Sequence, residues 1–134
     1  MKALYPTISY TLFIVISVAA LSVLLISIRG FAEGTQTTYA QSQLECAADI
    51  VRNDIMSIYS ANSSGVVQSH LPAYIAGKRY SIEAENNIIT VSMEMSGRQI
   101  RAARTIDASI QLQGREYAPI SLDYQKDDGT LVIR

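Results

Sequence analysis

The side chains that could do chemistry in this chain are few and scattered. There is one histidine, His70, and one cysteine, Cys46. A Cys/His zinc site needs three or four ligands, which this chain cannot assemble. A single cysteine also rules out a disulfide within the chain. Serines abound, but no Gly-x-Ser-x-Gly elbow frames any of them, and only His70 is available as a base. Glu83, Glu85, Glu94 and Asp107 alternate with apolar residues, so they read as a solvated face rather than an acid pair. Asp127-Asp128-Gly129 is followed by too few oxygen ligands for a calcium loop and reads as a turn. No P-loop or dinucleotide fingerprint is present. The chain is therefore read as no enzyme, with no cofactor. His70, beside Leu71-Pro72, reads as an exposed loop residue. Cys46, in Leu44-Glu45-Cys46-Ala47-Ala48, reads as a small core thiol, with an intermolecular disulfide or a reactive thiol as the alternative. A net charge of −1 gives no basic excess for nucleic acid. Arg98, Arg101 and Arg104 form the one notable charge cluster, with Lys78, Arg79 and Arg115 elsewhere in the domain. The Arg98, Arg101 and Arg104 cluster is expected to pair across strands with Glu83, Glu85 and Glu94; subunit contacts or acidic surface polymers are the alternative use.

With little chemistry to position, the elements themselves become the argument. Leu4 to Ile28 carries no charged residue. As a helix that run spans roughly 37 Å, against a hydrocarbon core of about 30 Å. It is too long for the apolar region of a cleaved secretory signal, so a transmembrane helix in contact with membrane lipid is expected. Lys2 precedes it, which places the N-terminus in the cytoplasm and the rest of the chain outside. Thr7, Ser9, Thr11, Ser17, Ser22 and Ser27 punctuate the span, with Ala19 and Ala20 among them. Small and hydroxyl residues allow close helix contact; a plain anchor whose hydroxyls bond back to their own backbone is the alternative.

The opening Lys2-Ala3-Leu4-Tyr5-Pro6-Thr7-Ile8-Ser9 resembles the N-terminus of archaeal type IV pilin-like proteins. That resemblance covers about the first 30 residues. It implies processing by a prepilin-type peptidase after Ala3, with Lys2 as the basic residue before the cut, Leu4 as mature residue one and Pro6 as the third. Ile8 stands at the fifth mature position, where bacterial pilins carry an acidic residue; many archaeal members also lack it. The resemblance further implies assembly with copies of itself or with other pilin-like subunits.

Beyond the span, Gly30 and Gly34 with a Thr/Gln cluster suggest a helix break or a softened stretch of one long helix. Tyr39 to Tyr59 then shows helical periodicity through Leu44, Ala48, Val51, Ile55 and Ile58. Ser60 to Gly65 reads as a polar loop, and within it Asn62-Ser63-Ser64 fits the glycosylation pattern, a plain loop being the alternative. From Tyr80 onward apolar and polar residues alternate. Turns are expected at Asn86-Asn87, Ser96-Gly97 and Lys126 to Gly129. They pair Ile82 with Val91, Met93 with Ile100, and Tyr124 with Leu131. Ile106, Ala108, Ile110 and Leu112 read as a further strand ended by Gly114. Arg104 interrupts the apolar face, so a bend or bulge is expected there.

The expected fold class is α+β. A transmembrane helix with any leader (residues 1–29) leads into an extracellular amphipathic helix and loop (30–65). That helix packs on an antiparallel β-meander of about five strands (66–134), an arrangement that is also pilin-like. The expected function is a structural subunit or minor accessory pilin of a surface filament. The rival is a permanently anchored extracellular module that binds a partner and never polymerises.

Overall fold

The protein is seen here as a computed structural model describing residues 4–107 and 109–134, with side chains from Ile8 onward. Among the described residues the elements are one helix, α1 (Leu4–Ala61), and seven strands: β1 (Gly65–Gln68), β2 (Ser81–Glu85), β3 (Ile88–Met95), β4 (Arg98–Thr105), β5 (Gln111–Tyr117), β6 (Ser121–Gln125) and β7 (Thr130–Ile133). The chain divides into two compact units, Met1–Gln36 and Thr37–Arg134.

In the first unit, helical hydrogen bonding continues through Gly30 and Gly34, so the expected break does not occur. Helix-interior glycine costs about 1 kcal/mol against alanine, which the neighbouring helical turns tolerate. Every side chain from Ile8 to Gln36 is exposed. Hydroxyls along it are satisfied one turn back: Ser22 Oγ donates to the Val18 carbonyl at 2.8 Å, Ser27 Oγ to Val23 at 2.9 Å and Thr35 Oγ1 to Phe31 at 2.9 Å. These three hydroxyls thus present no unpaired donor to an apolar surrounding.

In the second unit, the remaining turns of α1 bury a stripe of Ala40, Leu44, Ala47, Ala48, Val51, Ile55 and Ile58. The stripe follows the predicted periodicity, and it packs on the sheet in one core with Tyr80, Ile82, Val91, Met93, Ile100, Ile106, Ile110, Leu122 and Leu131. Burying each large aliphatic side chain here stabilises the fold by about 1.5–3 kcal/mol before entropy is counted. Cys46 is exposed, not a core thiol. At 100° per residue it lies about 200° round the helix from Leu44, on the far side from the sheet.

The sheet has seven strands rather than five and is not a meander: its order is β1-β6-β7-β5-β2-β3-β4. Three hairpins carry the predicted registers, with Ile82 opposite Val91, Met93 opposite Ile100, and Tyr124 opposite Leu131. Asn86 and Asn87 have φ of 49° and 64°, and Ser96 and Gly97 have φ of 51° and 74°. Both pairs form the left-handed two-residue turn that matches strand twist. The remaining pairings are long-range: β2 with β5 and β1 with β6 antiparallel, and β5 with β7 parallel. The strand expected from Ile106 begins instead at Gln111, and Ala108 lies outside the described residues. Gly114 does not end that strand but sits inside it, at φ 131°. A Cβ there would lie 2.6 Å from the Ile133 carbonyl oxygen, so only glycine lets β7 close against β5.

Candidate functional site

Three regions draw attention: the start of the chain, the turn after α1, and the fastening of α1 to the sheet. Of the processing residues, Lys2 and Ala3 lie outside the described residues, and Leu4 is the first residue of α1. After them comes a helix long and apolar enough to cross a membrane, the one such helix among the described residues.

Asn62 lies in the turn that follows α1. It is exposed, with φ 53°, and its N–H donates to the Tyr59 carbonyl at 3.1 Å. Ser64, the hydroxyl residue of the glycosylation pattern, accepts a hydrogen bond from the Lys126 N–H at 3.0 Å. The Asn62 side chain is thus presented on an exposed turn, while Ser64 ties that turn to the end of β6.

The helix is held to the sheet by more than its apolar stripe. Arg104 projects from β4 on the helix side. Its Nε and Nη2 donate to the two carboxylate oxygens of Asp49 at 2.7 Å and 3.3 Å. This replaces the expected bulge: Arg104 stays in register opposite Ile89 because a carboxylate on α1 receives it. The hydrogen bond from Arg104 holds the Asp49 carboxyl below its usual range, and Asp49 in turn raises the arginine. The expected pairing with Glu83, Glu85 and Glu94 is not made: among the described residues no ion pair joins these glutamates to Arg98, Arg101 or Arg104. Ser69 Oγ donates to Asp54 on the helix at 2.6 Å, and Gln41 reaches the Arg101 carbonyl at 3.3 Å. Beneath the helix, Tyr80 is buried and donates to the Pro72 carbonyl; burial pushes its hydroxyl up to about 12. Local sequence does not match Arg104 with Asp49, because the two lie on different elements. An arginine on an otherwise apolar strand face and an aspartate beside the helix stripe were the available signal.

These contacts fasten the helix to the sheet. His70 is exposed in its loop. Among the described residues no group of three or more His, Cys, Asp or Glu side chains is gathered as metal ligands would be.

Fold and site together define a class: a chain with one membrane-span-like N-terminal helix and a C-terminal unit in which that helix's later turns cover a mostly antiparallel sheet. The chain belongs to the Family of unknown function (DUF7266), which matches it over residues 1–134. No curated protein and no solved structure matches it.

Proposed function

We propose that this chain is a pilin-like structural subunit, inserted in the membrane by the first part of α1 and assembled into a surface filament through it, with the sheet-bearing unit outside the cell. The observation that carries the reading is the uncharged run to Ile28 within a helix whose side chains from Ile8 to Tyr39 are all exposed. Apolar surface of that extent needs lipid or other apolar helices around it. Residues later in α1 meet the sheet instead, which is the division of labour that the N-terminal resemblance implies. Lys2-Ala3-Leu4 supplies the peptidase site in this reading, and Asn62 a glycan site on the outer surface.

Ala20→Phe tests it. The substitution keeps the span apolar, so insertion should survive, but it enlarges a small residue where packed helices would need close approach. Cells making the variant should hold normal amounts of membrane-bound protein and incorporate little of it into filaments. Ala3→Asp should do the same by blocking processing. If both variants act as wild type in a filament assay, the chain is a permanently anchored module.

A further inference from the structure

The face of the sheet turned away from α1 holds a groove that the assembly reading does not use. Its floor is made by Ser81 of β2 and Ser92 of β3, directly opposite each other in the ladder. The sequence pattern put both on the solvated face, yet they are only 7% and 8% exposed. Longer neighbours shade them. Their hydroxyl oxygens are 3.1 Å apart, and either can donate. One hydrogen is spent on that bond, and the other hydroxyl hydrogen has no acceptor among the described residues.

Around this floor stand Arg79, Arg115, Gln99 and Tyr117, bordering an open depression of about 470 Å³. That volume falls within the range of small-ligand sites. Tyr117 is opposite Ser81 in the β2–β5 ladder and 59% exposed. Arg115 has Glu83 as its cross-strand neighbour. No described carboxylate comes within ion-pair distance of either Arg79 or Arg115. Glu94 also lines the groove, so the site is not uniformly basic.

We propose that this groove binds an acidic saccharide, one hexuronate unit of an anionic polysaccharide. Two unpaired guanidinium groups offer forked donors for a carboxylate. Ring hydroxyls both donate and accept, and they meet groups of both kinds in the serine pair, Gln99 and Glu94. The exposed tyrosine ring gives a flat apolar platform for the C–H face of a sugar, with a polar tip at its edge. Glu94 disfavours a polyphosphate, which has no hydroxyl to donate to that carboxylate.

The test uses the purified full chain in detergent micelles at 0.15 M salt, with binding followed by calorimetry. The probes are an oligogalacturonate hexamer, a neutral glucose hexamer and polyglutamate. The hexuronate should bind, and the other two should bind at least about tenfold more weakly. Arg79→Gln, Arg115→Gln and Tyr117→Ala should each weaken hexuronate binding by about tenfold, the loss of one charged hydrogen bond or one stacking platform. Tyr117→Phe keeps the ring and should bind nearly as wild type. Lys126→Gln, in the β6–β7 turn, should change nothing. Unchanged near-ultraviolet circular dichroism in each variant reports an intact sheet. Absence of hexuronate binding at millimolar concentration overturns the proposal. So does equal binding of the neutral hexamer or of polyglutamate, or a Lys126→Gln loss as large as those of the groove variants.

Discussion

Replacing Gly114 with alanine drives a methyl group into the backbone of β7. The new Cβ would sit 2.6 Å from the Ile133 oxygen and 3.0 Å from the Ile133 nitrogen, distances no side-chain rotation can relieve. The residue also has φ 131°, where an L-residue costs roughly 1–3 kcal/mol. Moving β7 to make room adds an overpacking cost of about 1–3 kcal/mol and strains its ladders with both β5 and β6. Together the two terms come to about 2–6 kcal/mol. The sheet-bearing unit runs from Thr37 to Arg134. For a unit of that size 1 kcal/mol shifts Tm by about 4–8 °C, so Gly114→Ala should lower Tm by at least about 8 °C. Gly97 is the control: its φ is 74°, but nothing lies within 4 Å of a Cβ there. Gly97→Ala should cost only the backbone strain, about 1 kcal/mol or 4–8 °C. The assay is thermal unfolding of the full chain in micelles, read from the near-ultraviolet signal of its packed tyrosines. Equal shifts for the two variants would refute the claim that β5 runs through Gly114 against β7.

Ile82→Ala, at a fully buried position beneath the helix, should cost about 2–5 kcal/mol by denaturant titration. Asp49 has a carboxyl pKa below the unfolded value of about 3.9, so its bond with Arg104 contributes fully above that value. That contribution is lost as pH falls through the folded pKa; Asp49→Asn should lower Tm at pH 7, and the gap from wild type should close in strong acid. Tyr80 has its hydroxyl raised to about 12, so the stability it brings is complete below pH 10 and lost between pH 10 and 12. Tyr80→Phe should remove that alkaline loss while costing about 1 kcal/mol at neutral pH for the Pro72 carbonyl left unpartnered.

What the sequence made legible was local. The Asn86-Asn87 and Ser96-Gly97 turns announce themselves by residue type, and strict alternation around them leaves one register that keeps Ile82, Val91 and Ile100 on one face. The helix stripe was equally clear, because Leu44, Ala48, Val51, Ile55 and Ile58 repeat at the helical period. What stayed hidden depends on partners distant in the chain. β1 is four residues long with every side chain exposed, so no alternation marks it, and only pairing with β6 makes it a strand. Gly114 looks like a strand end until β7 is brought alongside. Arg104 looks like a defect in an apolar face until Asp49 is placed above it. Ser81 and Ser92 look solvated because alternation reports which face a residue is on, not whether its neighbours cover it. The groove is hidden for the same reason: only the long-range β2–β5 pairing brings Tyr117 opposite Ser81 and Arg115 opposite Glu83.

The claim that α1 serves assembly is tested most directly at the start of the chain. Surface filaments sheared from native cells, analysed by mass spectrometry, should contain this protein beginning at Leu4, with Lys2 and Ala3 removed. Protein that still carries Lys2 and Ala3, found only in the membrane fraction and never in sheared filaments, would contradict the account.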